Sequence, residues 1–88
     1  MAMFPIYGVF EGDFVPHLVA IETDNSMAEV AEAVAVHSVG RRVAHNPKAK
    51  GYEAEVKGSV VDLKLKCADV MEQHGLAPLD FVTVRFAL

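Results

Sequence analysis

The chain has 88 residues and a net charge of −4, and 52% of its residues are hydrophobic. This length predicts a single domain spanning residues 1–88. The hydrophobic share is high for so small a chain, which indicates that some apolar side chains face a partner. The acidic balance, without a basic stripe, argues against binding to nucleic acid. Because neither a signal peptide nor an apolar run of about 20 residues is present, we expect a cytoplasmic protein that does not enter a membrane.

The N-terminal part of the sequence predicts a β-hairpin. Residues 4–10 and 14–22 are rich in aromatic and β-branched side chains, which favour strands. The acidic, glycine-containing residues 11–13 between them predict a turn. Pro5 and Pro16 have no backbone N–H to donate, so each is expected at a strand start, an edge or a bulge.

A helix is expected to follow the hairpin. Ser26 and Glu29 have the spacing of a capping box, in which each side chain accepts from a backbone N–H at the helix start. The helix is predicted to run from Met27 to about Val39, and Gly40 suits a left-handed helix end. The basic pair at residues 41–42 would then lie near the negative end of the helix dipole.

The predicted helix has two different faces. One face, expected to cover the sheet, consists of Met27, Val30, Ala31, Val34 and Ser38. The opposite face consists of Glu29, Glu32, Ala33, Val36 and Gly40. Two interpretations of Ala33 and Val36 remain open: ordinary surface residues, or a second buried side that packs against a partner.

The C-terminal half predicts three more strands and a short helix. Residues 52–57 and 60–66 alternate apolar with charged side chains, as half-buried strands do. Residues 67–74 are predicted to form a short helix that Gly75 ends, and residues 81–86 a final strand. The order β-β-α-β-β-α-β predicts an α+β chain with the β-grasp (ubiquitin-like) fold. Its mixed sheet would have about five strands, one long helix packed across it, and the last strand parallel to the first.

Two functions of β-grasp domains do not fit this sequence. A protein modifier or sulfur carrier needs a C-terminal diglycine, whereas this chain ends Arg85-Phe86-Ala87-Leu88. A ferredoxin needs four cysteines to hold its cluster, and Cys67 is the one cysteine present. Cys67 is therefore interpreted as a small buried apolar residue.

The sequence contains no convincing metal or catalytic constellation. Glu29, Glu32 and His37 do not match the Glu-x-x-His pattern of a diiron helix, and one long helix cannot supply such a site. The histidines at positions 17, 37, 45 and 74 fall on different predicted elements, so spacing alone supports no catalytic pair. We therefore predict no catalytic, metal or cofactor residue in this chain.

The basic pair Arg41 and Arg42 has two open interpretations. One is helix termination, and the other is a bidentate contact from one of them to a carboxylate of a partner. His37 similarly fits either a dipole or packing role at the helix end or a hydrogen bond across an interface.

The sequence resembles the gamma subunits of toluene/alkene-type diiron monooxygenases, the family of toluene monooxygenase system protein B. The matching residues are Phe4–Ile6, Phe10–Val15, Leu18–Val19, Asp24–Met27, Val30–Glu32, Ala35, His37–Ser38 and Arg41–Val43. The second half keeps the pattern of the family with fewer identities, at His74–Leu76, Pro78 and Phe81–Phe86.

The resemblance implies a ubiquitin-like, non-catalytic subunit on the outer side of a hydroxylase with two copies each of alpha, beta and gamma. The diiron centre would lie in the alpha subunit, and a Rieske ferredoxin, a reductase and an effector protein would complete an NADH-dependent system. Such a complex oxidises small aromatic or alkene hydrocarbons. The resemblance implies that His37, Arg41 and Arg42 are interface residues, and the helix pattern adds Ala33 and Val36.

Two other functions remain open at this point. One is a free-standing β-grasp effector that binds an oxygenase transiently, and the other is a small acid–base enzyme. The match over residues 4–43 favours the gamma subunit. The hydrocarbon substrate is not readable from this chain, because the alpha-subunit pocket would select it.

Overall fold

Five strands and two helices follow one another in the order that the sequence predicts. The computed structural model describes residues 3–13 and 15–88. Its elements are β1 (Met3–Phe10), β2 (His17–Glu22), α1 (Met27–Ala35), β3 (Tyr52–Val56), β4 (Ser59–Val61), α2 (Cys67–His74) and β5 (Phe81–Phe86). The sheet order is β2-β1-β5-β3-β4. Only the β1–β5 pairing is parallel among the strand pairs of this sheet. The mixed sheet and the β-grasp topology therefore confirm the predicted fold class.

The core lies between α1 and one face of the sheet. Residues of β1 alternate, so that Phe4, Ile6 and Phe10 point to the helix and are buried. The helix presents the predicted face to them, since Met27, Val30, Ala31 and Val34 are all buried. Ser38, the last residue predicted for this face, is also buried but lies beyond the end of the helix. The opposite face of the sheet is left uncovered by α1.

The start of α1 is fixed by both its cap and a distant segment. The predicted capping box is present, with the Ser26 hydroxyl accepting from Glu29 N–H and the Glu29 carboxylate accepting from Ser26 N–H. The next two backbone N–H groups, of Met27 and Ala28, donate to the carbonyl oxygens of Leu65 and Leu63 at 2.7 and 3.0 Å. The unpaired donors of the first turn are therefore satisfied by the chain after β4.

This capping role explains why β4 is shorter than predicted. The sequence predicts a strand over residues 60–66, but β4 ends at Val61. The Asp62 carboxylate accepts from Lys64 N–H and turns the chain away from the sheet. Leu63 and Leu65 still pack against the core. The alternation of apolar and charged residues therefore predicts their burial correctly, although their backbone does not pair with the sheet.

The end of α1 also differs from the prediction. The helix ends at Ala35 rather than near Val39, and Val36 is its C-terminal cap. Beyond it the chain forms a tight turn in which the Ser38 carbonyl accepts from the N–H groups of residues 41, 42 and 43. Gly40 has the expected left-handed conformation, with φ of 82°. The two arginines consequently lie on this turn and not in the last turn of the helix.

The remaining predictions for the elements are largely confirmed. α2 covers Cys67–His74 and ends at left-handed Gly75. Strand β2 begins at His17, three residues later than predicted; Phe14, the first residue of that prediction, lies outside the described residues.

Cys67 is buried as expected, and this burial raises the pKa of its thiol. Among the described residues, no helix has both the length and the apolar character needed to cross a membrane.

Candidate functional site

A shallow groove runs along the side of α1 that faces away from the sheet. It is lined by Ala28, Glu29, Glu32, Ala33 and Val36 and has a volume of about 620 Å³. These five residues are called the helix groove. They recur at intervals of three and four residues, which places them on one helical face.

Small and apolar side chains form the floor of the helix groove, and carboxylates form its rim. Val36 is 60% exposed, which leaves a β-branched side chain largely in water at the end of the helix. Burial, and after it the negative charge of Glu32, raises the pKa of Tyr52 on β3. The groove is therefore an apolar surface with a negative border.

A buried carboxylate ties the hairpin turn to the segment after α1. The Asp13 side chain is 0% exposed. Its oxygens accept from the Ser38 hydroxyl at 2.7 Å and from Arg42 Nε at 3.0 Å. Val15 N–H also donates to this carboxylate, at 3.1 Å. A buried charge is tolerated where it is paired and hydrogen-bonded in this way.

Two histidines complete this arrangement, called the polar cluster (Asp13, His17, His37, Ser38 and Arg42). Arg42 Nη2 lies 2.7 Å from His17 Nε2, and it also donates to the His37 carbonyl oxygen at 3.2 Å. Because a guanidinium has only donors, His17 Nε2 acts as the acceptor in this contact. The His17 and His37 rings stack at 5.1 Å. The cluster thus joins β2 to the end of α1.

The polar cluster makes Asp13 an unusually strong acid. The Ser38 hydroxyl, Val15 N–H and the Arg42 guanidinium hold the pKa of Asp13 at about 2, below its ordinary 3.8, although burial acts in the opposite direction. A carboxyl whose pKa falls on folding stabilises the protein above its unfolded pKa. That stability is lost as the pH falls from about 4 to about 2.

Replacing Ser38 with alanine should weaken the fold measurably. We expect S38A to lower the free energy of unfolding by about 1–2 kcal/mol, because the buried carboxylate loses a hydrogen-bond donor. The variant should also lose less stability than the wild type between pH 4 and pH 2, since the pKa of Asp13 moves back toward 3.8. Urea unfolding across this range measures both effects, with Ser59→Ala on the exposed strand β4 as the matched control. Equal stability of S38A and S59A at pH 7 would contradict this role.

The predicted interface residues fall into two neighbouring groups. Ala33 and Val36 lie together in the helix groove. His37 and Arg42 belong to the polar cluster next to it. Arg41 is exposed, and within residues 3–13 and 15–88 no side chain forms a hydrogen bond or ion pair with its guanidinium.

Several residues of these two features were not predicted. Ala28 has the helical spacing of the groove and was recoverable from that pattern. Asp13 and Arg42 are 29 residues apart, and no local signal connects them. Ser38 offered an indirect signal, because a hydroxyl on the core side of a helix must find a partner.

The polar cluster is not arranged for nucleophilic catalysis. The Ser38 hydroxyl donates to the Asp13 carboxylate rather than to a histidine, so no base is placed to take its proton. In the part of the chain that the structure describes, no group of three or more His, Cys, Asp or Glu side chains is placed to hold a metal ion.

The fold defines a small β-grasp protein of the ubiquitin-like class. A solved ubiquitin from Caldiarchaeum subterraneum has a TM-score of 0.68 at 15% identity and covers 99% of this chain and 96% of its own, a likeness of fold alone. The family model of toluene-4-monooxygenase system protein B (TmoB) matches residues 3–86. This chain belongs to that family, which confirms the resemblance noted in the sequence.

Two relatives match nearly the whole chain. The alkene monooxygenase system, oxygenase component subunit gamma, of Xanthobacter autotrophicus strain Py2 is 45% identical over 86 residues, which is 98% of each chain. A chain of the solved toluene 4 monooxygenase HD complex with the inhibitor 4-bromobenzoate has a TM-score of 0.81 at 33% identity. That match covers 97% of this chain and 99% of the other. The second half of the chain, where the sequence showed fewer identities, therefore follows the family as well.

Proposed function

We propose that this chain is the gamma subunit of the hydroxylase component of a diiron monooxygenase that oxidises small aromatic or alkene hydrocarbons. The observation that carries this proposal is the family match, which spans residues 3–86. The Xanthobacter relative, an oxygenase component subunit gamma, is matched over 98% of its length. Because the match spans nearly the whole relative, the same role is the simplest one for this chain.

In this proposal the alpha subunit covers the helix groove. An exposed apolar floor on a helix that is already buried on its other side gains stability when a partner removes it from water. The acidic rim formed by Glu29 and Glu32 favours basic side chains on the opposing surface. Ala33 and Val36, the residues predicted from the sequence, both line the groove, and we propose that they form the centre of this contact.

The two arginines have different roles in this proposal. Arg42 is committed to Asp13 inside the chain, with Nε 3.0 Å from both carboxylate oxygens. Arg41 stands beside it on the same turn and is exposed. Arg41 is therefore the one available for a bidentate bond to a carboxylate of the alpha subunit.

This division of roles predicts opposite effects of two alanine substitutions. We expect R41A to weaken assembly with the alpha subunit by about tenfold without changing Tm, since truncation removes an intermolecular contact alone. R42A should lower Tm, because the buried Asp13 carboxylate loses its guanidinium. Thermal unfolding of the isolated chain and titration against the alpha subunit separate the two effects. A drop in Tm for R41A with none for R42A would reverse the assignment.

The proposed complex contains two copies each of alpha, beta and gamma. The diiron centre belongs to the alpha subunit, whose pocket selects the hydrocarbon, and this chain supplies no catalytic residue. A Rieske ferredoxin, a reductase and an effector protein would deliver electrons from NADH and regulate turnover in the cytoplasm.

A subunit and a transient effector differ in how long they remain bound. In the test, labelled chain is assembled into the complex and challenged with an excess of unlabelled chain, and loss of label is followed by gel filtration. A gamma subunit should remain in the complex for hours, in keeping with a tight interface. Exchange within seconds would replace this proposal with the free-standing effector.

A further inference from the structure

A second apolar surface lies on the face of the sheet that α1 leaves uncovered. Leu18 of β2, Tyr7 of β1 and Phe81 of β5 are direct neighbours across three strands, since Tyr7 pairs with both of the others. Their positions alternate with the buried residues Ile6, Val19 and Val82, so all three lie on the outer face. We call these three residues the outer-sheet patch.

The outer-sheet patch exposes more apolar surface than folding requires. Leu18 is 61% exposed and Phe81 is 57% exposed. The Tyr7 and Phe81 rings stack at 5.4 Å, which fixes them as one flat surface. Single exposed apolar residues are ordinary on a monomer, but a contiguous row with paired aromatics is typical of a protein interface.

A strained leucine adjoins this patch. Leu79 has φ of 69°, a left-handed conformation that is unfavourable for its side chain, and it is 51% exposed. Its N–H donates to the Pro5 carbonyl at 2.8 Å, which places it beside β1. An exposed leucine contributes little to the core. The free-energy cost of its left-handed backbone conformation is therefore explained better by a contact with another protein.

Carboxylates lie on the same face as the outer-sheet patch, farther along the sheet, where Glu55 pairs with Thr83 and Glu53 with Arg85. Arg85 bonds Glu55 at 2.7 Å and Glu11 at 2.9 Å, and it bonds Glu53 more weakly at 3.4 Å. These bonds, with Glu55 first, raise the pKa of Arg85. Three carboxylates around one guanidinium leave this part of the face negative. A surface of this kind is complemented by an apolar surface with basic side chains at its edge.

We infer that the outer-sheet patch is a second docking surface, which takes a protein of the same monooxygenase system that presents an apolar area edged by lysine or arginine. The outer-sheet patch and the helix groove point in opposite directions, because α1 packs on the inner face of the sheet. One flat partner surface cannot contact both. If the alpha subunit covers the helix groove as proposed, the chain bridges two surfaces. The inference rests on the proposed function for the choice of system, and docking at the outer-sheet patch does not depend on docking at the groove.

Site-specific photocrosslinking in the intact assembly tests the inference. A benzoylphenylalanine is placed at Phe81, at Val36 in the helix groove, or at Leu88, which is 80% exposed and belongs to neither surface. The complex is purified from its own host, and the crosslinked peptides are identified. Position 81 should crosslink to a segment containing Lys or Arg, and that segment should differ from the one reached by position 36.

The outcomes separate this inference from the proposed function. If position 36 crosslinks while position 81 gives no more product than position 88, the second surface is wrong and the gamma-subunit proposal stands. A crosslink from position 81 to another copy of this chain would also overturn the inference. If position 81 crosslinks as expected while position 36 does not, docking through the helix groove is wrong instead.

A pair of charge variants tests the predicted sign of the partner. F81E and F81K remove the same ring at an exposed position, so both should weaken binding of the protein crosslinked at position 81. Against a basic border, F81K should bind about tenfold more weakly than F81E, and the gap should narrow at high salt. Equal affinities, or stronger binding by F81K, would overturn the charge complementarity on which the inference depends.

Discussion

Replacing Val36 with lysine should prevent stable assembly of this chain with the alpha subunit. The side chain is 60% exposed in the helix groove, so V36K leaves the isolated fold intact. In the complex, however, its ammonium group would be removed from water even if it paired with Glu32 one turn earlier, and it would repel the basic side chains expected on the opposing surface. We expect affinity to fall about a hundredfold or more, the scale of a central interface residue.

The chain offers a matched control for this substitution. Val60 is also a valine, is 59% exposed, and lies on the edge strand β4 away from α1. V60K should retain the alpha subunit as the wild type does, and both variants should have nearly unchanged Tm. Retention of the alpha subunit by V36K would contradict docking through the helix groove. Loss of the alpha subunit by V60K as well would show that the added charge weakens assembly wherever it is placed.

Gly8→Ala should be the most destabilising single methyl added to this protein. A Cβ at position 8 would lie 2.6 Å from Val34 Cγ2 and 3.0 Å from its Cγ1. Valine in a helix is stiff at χ1 and is buried here, so it cannot move aside. The sheet and α1 must separate locally, which we expect to cost about 3 kcal/mol. Urea unfolding of the isolated chain measures this cost.

A double substitution tests whether Val34 is the cause. V34A removes both methyl groups that Gly8→Ala would meet. The combined variant should be more stable than the sum of the two single costs predicts, by about 1 kcal/mol or more. Additive costs would show that the strain arises elsewhere, in the backbone of β1.

Local signals in the sequence were sufficient for most of the elements. The Ser26–Glu29 capping box marks the start of α1, and Gly75 marks the end of α2. The predicted boundaries were wrong where the backbone of one segment hydrogen-bonds to a distant segment. Residues 62–66 carry the alternation of a strand, but their carbonyl groups cap α1 instead of extending β4. That use depends on tertiary geometry, which periodicity does not encode.

The candidate surfaces were only partly predictable for the same reason. Helical spacing identified Ala33 and Val36, because their position on α1 follows from a period of 3.6 residues. The role of Arg42 could not be predicted, since its carboxylate partner Asp13 is 29 residues away. The outer-sheet patch was not predicted because the sequence indicates that β5 pairs with β1 but not the register, which places Phe81 opposite Tyr7.

As the gamma subunit, this chain would be a permanent part of a hydroxylase. Native mass spectrometry of the tagged full-length chain, purified from its own host, tests this role most directly. This role predicts a complex that contains a large iron-bearing subunit and a second large subunit, each in equal number with this chain. A lone folded monomer of 9.5 kDa, with no such subunits at any ionic strength tested, would contradict it.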